Sequence, residues 1–90
     1  MEFSPSWRID DDVAHAEFRG ATYSVAAHFI AAVGAAADAA DHHPEVTLRY
    51  PGIVGVSVTS HDVGRLTGRD ERFAATVDGL ARNHGMEPVT

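Results

Sequence analysis

Cysteine is absent from the 90 residues. That removes disulfides, thiolate metal sites and thiol nucleophiles together, and leaves histidine, carboxylate and hydroxyl groups to carry any chemistry. Aromatic residues are few: one tryptophan, two tyrosines and four phenylalanines. A core made from this sequence must therefore pack small side chains closely. Positive charge is also scarce, with seven basic residues against thirteen acidic ones and a formal charge of −6. Nucleic acid and anionic membranes favour basic faces, so neither is expected as a partner. No apolar run approaches the ~20 residues of a membrane span. The opening MEFSPSWRID lacks the basic and apolar regions of a secretory signal, and a cytoplasmic location is expected. Residues 1–90 are expected to form one domain, too short for a second core. So short a chain hides little apolar surface within itself, and self-association would supply the rest.

What is present reads as alternating strands and helices. VAHAEFRGATY alternates as a strand, with Val13, Ala16 and Phe18 expected toward the core. Trp7 and Ile9 extend it backwards across DDD as a hairpin arm, and Gly20 marks the turn out. From Tyr23 the chain turns helical: Tyr23, Ala26, Ala27, Ile30, Val33, Ala37 and Ala40 recur at spacings of three and four. Gly34 weakens that helix by about 1 kcal/mol relative to alanine, which suggests a close approach to a sheet or a neighbour. Pro44 ends the helix, because the residue before a proline avoids the helical region.

VTLRY and IVGVSVTSH follow as two strands around a PG turn, with Val54, Val56, Val58 and Ser60 on one face and His61 on the other. TGRD outlines a capping box, Thr67 as N-cap and Asp70 at the third helical position. The helix it opens buries Phe73, Val77 and Leu80, leaves Ala74, Ala75 and Ala81 as a second small-residue surface, and ends near His84 and Gly85. The tail MEPVT is expected to be loose. The order predicts an α+β two-layer sandwich, a mostly antiparallel four-stranded sheet with helices on one face.

Six histidines stand in this short chain. His15, His28 and His84 read as surface or helix-end residues. His42, His43 and His61 differ, because a helix end and a strand end can be brought together. Asp38 lies four positions before His42, on the same helical face, where a carboxylate can orient an imidazole. Three readings stand side by side: a capped helix end and turn, a zinc or iron site, and acid–base catalysis on a small molecule. The metal reading lacks any His-x-His or His-x-x-x-His spacing.

DAADHHPEVTLRY, VSVTSHD and LTGRD together resemble the pterin-4a-carbinolamine dehydratase family. Asp38, His42, His43, Pro44, Tyr50, His61 and Asp70 match its pattern in order, with Trp7, Phe18, Tyr23 and Ala26 similar upstream. The resemblance covers about residues 7–82. It implies dehydration of 4a-hydroxytetrahydropterin to quinonoid dihydropterin, recycling the pterin with no metal and no cofactor beyond the pterin substrate itself. His42 and His61 would be the acid–base pair, His43 a binder steadying the leaving hydroxyl, and Asp38 the residue that orients the cluster. Asp41, Thr59, Ser60, His61 and Asp62 would contact the ring, partly through main chain. A homodimer or homotetramer is implied as well.

Departures from the family pattern are specific. Asp38 replaces the usual glutamate, Val46 a common tryptophan, and Gly20 a frequent phenylalanine. One extra residue falls between Tyr50 and His61, and the family's opening helix is largely absent. The alternative implied by the same resemblance is a dehydratase-like binding or assembly module, since relatives of the fold serve as transcription-factor dimerisation partners or carboxylase assembly factors.

Overall fold

The computed structural model describes residues 1–89 and shows β1 (Trp7–Asp10), β2 (Val13–Arg19), α1 (Tyr23–Ala40), β3 (Glu45–Arg49), β4 (Ile53–Val58), α2 (Gly68–Asn83) and β5 (Glu87–Pro88). The strands run β1-β2-β4-β3, with β5 beside β1 on the same edge of β2, and every pairing is antiparallel. Both helices cover one face, giving the expected α+β sandwich with a fifth short strand added.

Period-two alternation decides which strand residues meet the helices. Ala14, Ala16 and Phe18 of β2 are buried against α1 and α2, in register with Val58, Val56 and Val54 of β4. Val13 is half-buried and lies on the other face, contrary to the expectation, because it is an odd number of positions from Phe18. The hairpin between β1 and β2 turns on Asp11 and Asp12, both at positive φ, the geometry of a tight two-residue loop. Trp7 is buried opposite Ala16, and its indole N–H donates to Asp78 of α2 at 3.0 Å. The β1 arm is thereby tied to the helical layer.

Helix α1 starts at Thr22, whose hydroxyl accepts from the Val25 N–H. Its buried stripe is Ala26, Phe29, Val33 and Ala37, not the wider expected set; Tyr23, Ala27 and Ala40 are exposed. Alanines make several faces look equally apolar, and the bulky Phe29, stacked edge-on against Phe18, picks the one that packs. Gly34 is exposed, and a Cβ built there meets nothing within 4 Å, so the expected close approach does not exist within one chain. The expectation that no apolar run reaches span length is also corrected. By length and composition α1 qualifies, with 18 residues of mean hydropathy 1.3, because alanine raises the average.

Helix α2 carries the complete capping box: Thr67 accepts from the helix, and the Asp70 carboxylate accepts from the Thr67 N–H. It buries Phe73, Ala74, Val77 and Ala81, so two of the three alanines assigned to a second surface belong to the core; only Ala75 is exposed. Leu80 is half-buried. After His84 and Gly85, the latter at φ 69, the chain turns back. Met86 is buried, β5 pairs with β2, and the Val89 N–H donates to the Glu17 carbonyl at 2.9 Å. The tail is therefore part of the sheet. The Met86 sulfur also fills the space beside Gly20, 2.9 Å from where a Cβ would stand, so a larger residue at position 20 would require Met86 to move.

Candidate active site

The end of α1 sets the directions of the paired histidines. Asp41 adopts the left-handed conformation, at φ 50 and ψ 45. Its N–H donates to the Asp38 carbonyl, and the His42 N–H reaches back to Ala37 at 3.1 Å. This paired closure satisfies the last carbonyls and takes the chain out of helical register after Ala40. His42 consequently does not lie over Asp38, as its spacing predicted. It turns inward, with its side chain 10% exposed, and its Nε2 stands 2.6 Å from Oδ1 of Asp70. The ring also meets Phe73 edge-on, at a centroid distance of 6.0 Å. His43 points the other way and pairs with Asp38 at 2.9 Å, both groups exposed. Asp38 thus serves His43, and its short side chain reaches it.

Asp70 is fully buried, and its carboxylate gathers donors from three residues. Oδ2 accepts from the Ser60 hydroxyl at 2.7 Å and the Thr67 N–H at 2.9 Å, while Oδ1 faces His42. Burial pushes its pKa upward, but the hydrogen bonds from Ser60, Thr67 and His42 outweigh that, and the carboxyl titrates below its usual value. An ionised carboxylate can only accept, so Nε2 of His42 carries the proton in this bond. Nδ1 is then the nitrogen left to exchange a proton with a ligand. An orienting carboxylate behind an imidazole is a recurrent arrangement for general acid–base work.

The loop after β4 frames the same region. Thr59 donates to the Asp12 carbonyl at 2.8 Å, anchoring the loop to the first hairpin. Ser60, expected on the ligand side, is buried and commits its hydroxyl to Asp70 and Thr67. His61 and Asp62 are exposed in a turn closed onto the Ser60 carbonyl by the N–H groups of Val63 and Gly64. Asp62 pairs with the Arg69 guanidinium, whose hydrogen bond leads in holding the carboxyl below its usual pKa. Arg69 lines a hollow together with His42, so Asp62 is tied to that side of the molecule.

A cavity of about 290 Å³ opens beside His42, lined by Ala40, Arg69, Arg72, Phe73 and Thr76. His43, His61 and Val46 do not line it; Val46 is half-buried and packs on the core. A second hollow of about 300 Å³ lies on the open face of the sheet, where His15 meets Ser57 at 2.7 Å, and holds none of the expected site residues. Among the described residues no three His, Asp or Glu side chains converge as a metal site requires.

Sequence reasoning placed Asp70 in the capping box and in the family pattern but not behind His42. The signal was available: Asp70 shares the buried face of α2 with Phe73, Ala74, Val77 and Ala81. An aspartate on a core-facing stripe must find buried donors.

The sequence pattern of the pterin 4 alpha carbinolamine dehydratase family matches residues 1–80. The chain belongs to that family. A provisionally named pterin-4-alpha-carbinolamine dehydratase of Chloroflexus aurantiacus is 36% identical over 76 residues, covering 84% of this chain and 81% of its own. A Saccharolobus solfataricus protein with the same provisional name is 41% identical over 64 residues, covering 71% of this chain and 65% of its own. Among solved structures, a transcriptional coactivator/pterin dehydratase from Brucella melitensis superposes with a TM-score of 0.80 at 26% identity, covering 86% of this chain and 83% of its own. A pterin dehydratase-like RuBisCO assembly factor of the alpha-carboxysome shares the fold, with a TM-score of 0.72 at 22% identity over 87% of this chain and 92% of its own.

Proposed function

We propose that the protein dehydrates 4a-hydroxytetrahydropterins to quinonoid dihydropterins and so returns the pterin to use. The reading rests on the pair formed by His42 and Asp70, an inward-facing imidazole whose proton-bearing nitrogen is held by a buried carboxylate. In the reaction the N5–H bond breaks, its electron pair forms the N5=C4a double bond, and the 4a-hydroxyl leaves with a proton as water. One group must accept a proton and another must donate one, which imidazoles near neutrality do well. His42 acts through Nδ1, and His61, in the exposed turn on the same side, is its counterpart. His43 binds the pterin, oriented by Asp38, and main chain at Asp41 and residues 59–62 contacts the ring. The chemistry needs proton transfers only, so the pterin is the one small molecule required. A cytoplasmic homo-oligomer is the form proposed.

A second reading, a protein-binding or assembly module, is favoured by one observation: His61 lies in an exposed turn and not in the cavity beside His42. The named role of the carboxysomal neighbour is consistent with it. The absorbance change of 4a-hydroxytetrahydropterin dehydration separates the two. The native protein should accelerate it, and His61→Ala should lose at least about 100-fold of that rate with its circular dichroism unchanged. An undiminished rate in His61→Ala refutes the assignment of this pair.

A further inference from the structure

We propose that the cavity beside His42 receives the substituent at C6 of the pterin, and that Arg72 favours substrates whose substituent carries an anionic group, a phosphate ester or a carboxylate. The inference rests on the dehydratase reading and extends it to the part of the substrate that does not react. C6 is bonded directly to N5, so the first atom of the substituent stands two bonds from the atom that loses its proton. A histidine that serves N5 or the 4a-hydroxyl therefore has the substituent beside it. The space next to His42 is the cavity along α2, apolar at Ala40 and Phe73 and cationic at Arg69 and Arg72.

The two guanidinium groups are not equivalent. Arg69 is neutralised by Asp62. Arg72 pairs with no carboxylate among the described residues; the carboxylates in close contact with a basic side chain are Asp70 and Asp38, with His42 and His43, and Glu17 and Asp62, with Arg49 and Arg69. Its guanidinium lies back over the first residue of α2, with Nη1 3.2 Å from where a Cβ of Gly68 would stand. A side chain at position 68 would contest that place. The Thr76 hydroxyl donates to the Arg72 carbonyl at 3.2 Å and lines the same wall. In a chain of formal charge −6, an arginine that lines a cavity without a carboxylate partner is a local reversal of sign. A neutral hydroxylated substituent gains little from it, whereas a phosphate or carboxylate forms a charge-assisted hydrogen bond.

The test is an anaerobic titration of the full chain at low salt with 6-hydroxymethyltetrahydropterin and with its monophosphate. The phosphate should bind about 5-fold more tightly, the scale of a half-exposed ion pair. In Arg72→Gln that ratio should fall to about one, and in Arg72→Lys, which keeps the charge, most of it should remain. Thermal melts of both variants establish that they are folded; should Arg72→Gln not fold, Arg72→Ala and the loss of the ratio at high salt carry the same test. Equal affinities in the native protein, or a ratio that survives in Arg72→Gln, overturn the inference while the binding of the neutral pterin leaves the dehydratase reading intact. Failure of both pterins to bind overturns the two together.

Discussion

Replacing Asp70 by asparagine changes one oxygen for an NH2 group at the point where the fold and the proposed chemistry meet. In the native protein Oδ2 accepts from Ser60 and from the Thr67 N–H, and Oδ1 accepts from His42. Asparagine can keep its oxygen toward Ser60 and Thr67, because the Thr67 N–H cannot accept. Its NH2 then faces Nε2 of His42, which must give up its proton and accept. The imidazole is forced into the other tautomer, with Nδ1 protonated. Bonds to an ionised acceptor are each worth about 1 kcal/mol more than neutral ones, and a neutral amide is cheaper to bury, so the net loss is about 1–2 kcal/mol. For a domain of this size that lowers Tm by roughly 5–15 °C.

The rate should fall much further, by at least about 100-fold, at temperatures where the variant is fully folded. Urea denaturation measures the first effect, 15N chemical shifts of His42 report the tautomer, and the dehydration assay gives the third. Ser60→Ala, which removes one donor to Asp70 without touching His42, should cost about 1 kcal/mol and little rate. An unchanged His42 tautomer in Asp70→Asn, or a rate that falls only with the folded fraction, refutes the reasoning. The sign of the pH effect follows from the lowered pKa. The stability supplied by Asp70 is present above the unfolded aspartate pKa of about 3.9 and is lost as pH falls through the folded value. The part of the stability gap between native protein and Asp70→Asn that comes from the ionised carboxylate should close as pH falls below about 4.

Gly34→Ala should raise stability in urea by about 1 kcal/mol, since the position is helical, exposed and has open space for a methyl group. A loss of stability instead would mean that another copy of the chain packs on that face of α1. Met86→Ala should cost about 2–4 kcal/mol by the same measurement, because Met86 is buried over Gly20. A cost below about 0.5 kcal/mol would return the C-terminal segment to the loose tail that its composition suggests.

Much of the fold is legible in the chain because local chemistry and tertiary packing agree there. Valine alternation in β4 and the Thr67–Asp70 capping box are both realised residue for residue. Agreement fails where several answers satisfy the same pattern. An alanine-rich helix offers more than one apolar face, and only the contact of Phe29 with Phe18 chooses between them. The pair Glu87–Pro88 is too short to show any periodicity, and it becomes a strand because Met86 is drawn into the core.

Around the end of α1, the spacing of histidines and carboxylates did not give their pairing. A one-residue excursion at Asp41 into the left-handed region exchanges the partners, giving Asp38 to His43 and leaving His42 to Asp70. Helical spacing holds only while the helix does. It cannot report where a side chain points one residue beyond the end.

The sharing of Asp70 between a helix start and a histidine couples two kinds of failure. The first turn of α2 is held by the same carboxylate that aims His42. Fraying of that single turn, a far smaller event than unfolding, would release the imidazole while the sheet and the rest of the helical layer stay assembled. Substitutions that loosen residues 67–70 should therefore weaken any role of His42 by more than the loss of folded protein accounts for.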